Sequence, residues 1–203
     1  MAGLKLQTKS ADKILYGIKF PWDDKATLIQ MLGLQAASST TNTRASSAVN
    51  LKQGVLHTSG SRSETFVVDS YWTIGDKIHD GIKRAVVQDV AIGIWRMDFN
   101  EATLDASGNI ATVPAEFGMA KPNGLPETEA VNNLLHANIT YNIDGNTQDG
   151  VLNVSELDPQ LLADGLKMFD FAHNTDIGGD TTPTSASGTT TTTTGTTAST
   201  TDK

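Results

Sequence analysis

The chain has 203 residues, 15 basic and 23 acidic side chains for a formal charge of −8, and no cysteine. The missing thiols exclude disulfides, zinc–thiolate sites and cysteine nucleophiles, and an acidic chain without a basic cluster argues against tight nucleic-acid binding, which depends on neutralising phosphates. The opening Met1-Ala2-Gly3-Leu4-Lys5 lacks the basic-then-apolar secretory pattern, and no apolar run approaches the roughly 18 residues that cross a bilayer, so the sequence reads as a soluble protein of a reducing cytoplasm with no membrane partner.

Residues 1–12 read as an N-terminal arm. From 14 to 20, Ile14, Tyr16, Ile18 and Phe20 alternate with Gly17 and Lys19, the pattern of a half-buried strand, and Pro21-Trp22-Asp23-Asp24 closes it as a turn. Thr27 to Leu34 fits two periods: Leu28, Leu32 and Gln35 suit a helix begun at Asp24, while Leu28, Leu32 and Leu34 suit a strand, which is preferred. Residues 36–63 then turn polar and small, with Lys52-Gln53-Gly54 as a turn between two weakly apolar patches. A polar stretch of that length inside a compact domain is uncommon and usually functional or disordered; an extended hairpin projecting from the body fits it. Glu64 to Trp72 returns as a strand with Phe66, Val68 and Trp72 on one face.

The spacing predicts a helix over 75–87, with Ile74, Ile78, Ile82, Ala85 and Val86 on one side, Asp76 and Asp80 near its start, and Asp80 placed to pair with Arg84. Gly81 inside it costs about 1 kcal/mol relative to alanine. Asp89 to Phe99 is apolar on both faces, which predicts a strand between two layers. Asn100 to Asn109 is a loop turning at Ser107-Gly108-Asn109, Ala111 to Ala120 a strand, and Lys121-Pro122-Asn123-Gly124 a turn. Leu135, Ala137, Ile139, Tyr141 and Ile143 alternate with His136, Asn138, Thr140 and Asn142, the cleanest strand pattern in the chain. Asp144-Gly145 ends it, and Asp158-Pro159 caps a second helix with Leu161, Leu162, Leu166 and Phe169 on its apolar side. Beyond His173 the sequence is almost entirely threonine, serine, glycine and alanine, too poor in apolar surface to offset its ordering entropy, so 174–203 reads as a disordered tail on a body of 13–173.

Sites of chemistry are missing. The sequence has no phosphate-binding glycine loop, no nucleophile elbow and no pair of histidines at metal-ligand spacing, so no catalytic residue, cofactor or enzymatic activity is expected. His136 reads as a solvated or interface residue, and Glu127 and Glu129 as a solvated face. Asp144 to Glu156 compares with a calcium loop, with Asp144, Asn146, Asp149, Asn153 and Glu156 as candidate ligands, but the glycine falls at the seventh position and the closing glutamate at the thirteenth, each one residue late.

Strands, one helix between them, a long polar insertion and no catalytic constellation describe a self-assembling β-rich subunit. The stretch Val49 to Gly60, the segment Gly93-Ile94-Trp95-Arg96-Met97-Asp98-Phe99, and Ile139 to Gly145 continuing to Gln148-Asp149-Gly150-Val151 resemble the major tail protein family of siphophages, in order and texture across residues 1 to about 173. The resemblance implies a mainly β fold, an antiparallel β-sandwich or half-barrel with one flanking α-helix and a short C-terminal helix. It implies homohexameric rings stacked into a tail tube through which DNA passes without sticking, in a virion assembled in the host cytoplasm. Tape-measure and tail terminator proteins would be further partners. The projecting segment 36–63 would be the self-assembly loop, with Thr43, Arg44, Asn50, Lys52, Gln53, Gly54, His57 and Arg62 as its contact residues. Alternatives are another virion assembly protein, such as a head decoration or connector component, and a secreted calcium-dependent binding module.

Overall fold

A computed structural model describes residues 8–106, 108–159 and 161–162. The chain divides into a body, Met1–Phe169, and a segment, Asp170–Lys203; the latter lies outside the described residues, as do most of the N-terminal arm and the remainder of the second expected helix, Leu166 and Phe169 included.

The body is built from β1 (Ile14–Lys19), β2 (Gln30–Met31), β3 (Leu34–Leu51), β4 (Gly54–Tyr71), α1 (Lys77–Gln88), β5 (Ile92–Asp98), β6 (Thr103–Leu104), β7 (Ile110–Pro122), β8 (Glu127–Thr128), β9 (His136–Ile143) and β10 (Gln148–Asn153). The strands form one antiparallel sheet in the order β2-β1-β5-β7-β9-β4-β3, with β6 and β10 on β7 and β8 on β9. The sheet folds on β7. One edge of that strand pairs β5 from Ala115 to Ala120; the other pairs β10 from Thr112 to Phe117 and then β9 from Ala120 to Pro122. The chain between Ile143 and Gln148 leaves the ladder at that junction, so β9 swings away from β10 and carries β4 and β3 with it.

The curl brings β1 and β5 over β4 and β9. Tyr16, Ile18, Ile92 and Ile94 meet Phe66, Val68, Ile139 and Tyr141 in one core, with Ile78, Ile82 and Ala85 of α1 closing its side. Tyr16 and Phe66 touch edge to face, their ring centroids 5.6 Å apart. A second core lies on the opposite face of β1 and β5, where Leu15, Met97, Val113 and Leu152 pack with Ile29, Leu157 and Leu161. This is the half-barrel with one flanking helix that the resemblance implies.

Most element expectations hold, and their departures have physical reasons. β9 alternates inward and outward as its sequence requires, Ala137, Ile139, Tyr141 and Ile143 facing the core. β5 is covered on both sides at its start, as its two-faced apolar pattern predicts. β1 is also covered on both faces, not half-buried, because Ile29 packs directly onto Gly17. Thr27 to Leu34 is extended, with β2 and an Ile29–Leu157 bridge, and takes no helical turn. β7 runs on through Lys121 and Pro122, whose position at the strand end needs no further ladder donor, so the turn begins at Asn123.

α1 starts later than the apolar spacing suggests. Asp76 is its N-cap, accepting a hydrogen bond from the Ile78 N–H at 2.8 Å, which leaves Ile74 before the helix and fully exposed. Arg84 does not pair with Asp80; it donates to Gln88 at 3.2 Å and lies 4.1 Å over the Trp22 ring. Gly81 is a packing requirement, because a Cβ there would stand 2.3 Å from the Phe20 ring.

Candidate assembly interface

The polar segment is a hairpin of two 18-residue strands, β3 and β4, joined at Lys52-Gln53. Serine, threonine and asparagine in near-continuous run supply β-compatible backbone without apolar side chains to bury, so the pair extends without a core. β9 supports β4 only from Thr65 to Tyr71. Beyond Glu64 the hairpin runs on two-stranded for roughly 35 Å at about 3.4 Å per residue. Among the described residues its outer strand is the sheet edge throughout, and every residue from Ala36 to Ser63 is exposed.

Two bulges shape it. Ala36 and Ala37 stand against Asp69 near the root, and Gly60 and Ser61 stand against Ala45 farther out. Such bulges bend and twist a strand pair. At the second, Gly60 packs tightly, since a Cβ there would stand 3.1 Å from the Ala45 Cβ. The tip collects Val49, Leu51, Val55 and Leu56, each exposed by about half, between 46% and 57%. Residues 36–63 contain Arg44, Lys52 and Arg62 and no aspartate or glutamate, so a hairpin of positive charge projects from a chain of −8.

The sequence-derived contact residues fall in two places on this hairpin. Asn50, Lys52, Gln53, Gly54 and His57 cluster at the tip, with Asn50 opposite Val55 and His57 opposite Ala48. Thr43, Arg44 and Arg62 lie near the root, where Arg44 and Arg62 face each other across the ladder. Sequence reasoning missed Glu64, the most buried acidic side chain described, at 3% exposure. It pairs with Arg62, accepts from the Asn42 amide at 3.3 Å and accepts from the Thr147 N–H at 2.7 Å. Burial opposes its ionisation most strongly, but the Thr147 hydrogen bonds and the Arg62 charge together outweigh that and hold the carboxyl below the usual range. The alternation of Glu64, Phe66 and Val68 on one face was its only sequence signal.

The opposite margin of the sheet is covered within the chain from Tyr16 to Ile18. β2 covers β1 at Gly17 and Ile18. The Gln35 side chain serves Tyr16 as a strand would, accepting from its N–H at 2.8 Å and donating to its C=O at 2.6 Å. Near the arm, Lys9 bridges Asp98 and Glu101, each at 2.7 Å, and Asn100 exchanges hydrogen bonds with Ser10. His136 is part-exposed, lies 2.8 Å from Asp69 and stacks on Tyr71. Glu127 meets His79 at 2.6 Å.

The segment compared with a calcium loop is extended over β10, paired to β7. Glu156 accepts two hydrogen bonds from Asn153, from its N–H at 3.0 Å and its amide at 2.9 Å. Among the described residues no group of three or more acidic or histidine side chains converges as a metal site.

A curled antiparallel sheet, one flanking helix and a long unsupported hairpin define the class: a β-rich protein with an exposed extension away from its own core. No protein-family model matches the chain, and no curated protein matches its sequence. Among solved structures it is similar to the SPP1 tail tube determined by solid-state NMR and cryo-EM, with a TM-score of 0.58 and 18% identity over 85% of this chain and 96% of that one. It is similar also to a chain in the tail of the empty gene transfer agent particle, refined with C6 symmetry, at a TM-score of 0.53 and 7% identity over 70% of this chain and 99% of the other. A chain of the native gene transfer agent virion compares at 0.52, again with 7% identity. The chain has the tail-tube fold.

Proposed function

We propose that this protein is a structural tail-tube subunit, not an enzyme: copies close into six-membered rings, and the rings stack into a hollow tube for the passage of DNA. The observation that carries the reading is the hairpin, an 18-residue strand pair left without a core in a chain whose fold spans nearly the whole SPP1 tail-tube subunit. The C6 symmetry of the gene transfer agent tail supports the ring number. A natural protein does not leave a long open strand edge without a use, because such an edge pairs with whatever is available; cyclic closure and stacking supply a defined partner. On this reading the tip residues Asn50, Lys52, Gln53, Gly54 and His57 meet a neighbouring subunit, and Thr43, Arg44 and Arg62 set the hairpin root. Net negative charge on the body suits a channel that DNA must cross without adhering. The place of the protein is the tail of a virion assembled in the host cytoplasm, with a tape-measure protein inside the tube and a terminator at its end.

Electron microscopy of the purified protein tests this. Hollow tubes or six-fold rings are expected, and a strictly monomeric particle at high concentration refutes the reading. Leu51→Asp and Leu56→Asp, at half-exposed tip positions, are expected to abolish tubes while leaving the melting temperature of the body unchanged. Tubes that form normally from both variants would remove the tip from the contact.

A further inference from the structure

The hairpin leaves the body at the point where β9 stops supporting it. The last β4–β9 pair is Thr65 with Asn142, and Glu64 is the next residue outward. A two-stranded ribbon beyond such a point is marginal by itself and has no packed face to fix its direction. Glu64 lies at that pivot and is the one acidic side chain on the inward face of β4, in line with Phe66 and Val68.

Its contacts open a polar circuit through four strands and a turn. Thr147, which donates its N–H to Glu64, donates its hydroxyl to Glu116 of β7 at 2.7 Å. Glu116 lies 3.8 Å from Arg96 of β5. Arg96 stands directly opposite Tyr16 of β1 in the ladder. On the hairpin side, Asn42 of β3 donates its amide to Glu64. Both strands of the hairpin are therefore tied to both halves of the curled sheet. The charges balance, Arg62 against Glu64 and Arg96 against Glu116. Burying a carboxylate is costly unless it is paired and hydrogen-bonded, and in some proteins such a group fixes one arrangement over others.

We propose that this circuit is a lock on the exit direction of the hairpin, with Glu64 as the positioning residue that joins the hairpin root to the turn at Thr147. Glu64 does not touch a partner subunit; it acts by presenting the tip at one angle. The consequence for assembly rests on the tail-tube reading, but the lock itself is a property of the isolated subunit.

The absence of native cysteine allows two spin labels to be placed without background, at Gln53→Cys on the tip and Val131→Cys, an exposed position on the body. Pulsed dipolar measurement on full-length monomer is expected to give one narrow tip-to-body distance in the parent and a broadened or shifted one in Glu64→Gln and in Thr147→Val. Lys121→Ala, which removes a surface bridge to Asp89 outside the circuit, is expected to leave the distance unchanged. Where the parent forms tubes, the critical concentration of Glu64→Gln rises about tenfold or more, the equivalent of one charge-assisted hydrogen bond. An unchanged distance distribution in both circuit variants overturns the lock, whether or not they assemble. A narrow parent distance that broadens in Glu64→Gln, in a protein that never forms rings or tubes, upholds the lock and refutes the tail-tube reading.

Discussion

Gly81 gives the fold its sharpest test, because propensity and packing disagree in sign. Helix propensity alone makes Gly81→Ala stabilising by about 1 kcal/mol. The structure places an added Cβ at 2.3, 2.4 and 2.9 Å from carbons of the Phe20 ring, far inside the roughly 3.5–4.0 Å at which carbon atoms attract. The ring has little room to retreat. Phe20 is 4% exposed and stacks on Trp22 at 4.9 Å, and Trp22 in turn carries the Arg84 guanidinium on its face. Overpacking a dense core costs about 1–3 kcal/mol, and simultaneous contact with most of a ring belongs to the upper part of that range. The net expectation is a loss of about 1–2 kcal/mol after the propensity gain. For a domain of this size that is a fall of roughly 3–8 °C in melting temperature. Urea and thermal denaturation, followed by tryptophan fluorescence below any assembly threshold, measure it. A Phe20→Leu background should reverse the sign, so that adding Gly81→Ala there recovers about 1 kcal/mol, and the double-mutant cycle reports the contact directly. A single Gly81→Ala more stable than its parent would refute the packing argument.

Acid should weaken the body in a defined window. Glu64 and Asp98 are buried, which opposes their ionisation, yet the Thr147 hydrogen bonds and Arg62 at the first, and Lys9 with Asn100 at the second, hold both carboxyls below their usual range. A depressed carboxyl contributes stability that is present above its unfolded value near pH 4 and is lost as pH falls through the folded value. Denaturant midpoints should therefore fall below about pH 4, and Glu64→Gln should flatten part of that fall; an identical acid profile in the variant counts against the pairing. Calcium is expected to have no effect, since Asn153 and Glu156 are bonded to each other and β10 is a paired strand. A rise in melting temperature at millimolar calcium would contradict that geometry.

Legibility in the sequence followed the range of the interactions. β9 and β5 could be read because burial on one face or two writes itself into alternation or continuity, and α1 because Asp76 and the isoleucine spacing are local. Ile74 misled, since apolar spacing alone extends a helix past its cap. The covered second face of β1 was invisible because Gly17 has no side chain, and its cover, Ile29, comes from another segment. The hairpin could be inferred from what 36–63 lacks, but its root could not. Glu64 meets Thr147 across 83 positions in the chain, and no periodicity spans such a distance. The polar circuit is a product of the curl of the sheet, legible only once β4, β7 and β5 are brought together.

The two margins of the sheet differ in a way that constrains how copies can meet. The β1 margin is already satisfied: β2 and the Gln35 amide occupy the backbone groups from Tyr16 to Ile18. The hairpin is the reverse case. Among the described residues no strand pairs the outer edge of β3, and none pairs β4 outward of Thr65, so the ribbon offers an open edge on each side. Natural edge strands are blunted by proline, charge, bulges or shortness; this one keeps 18 residues in each strand and no proline, its protection being two bulges and the charges of Arg44 and Arg62. One open hairpin and one closed margin cannot form a symmetric pair by joining the β1 strands of two copies. On the tail-tube reading each ribbon is received by a different surface of the next copy, the heterologous contact that closes into a ring or continues as a stack. On that reading the root and the tip of the ribbon serve assembly differently, Glu64 through the direction in which the hairpin is presented and the half-exposed tip residues through the contact itself.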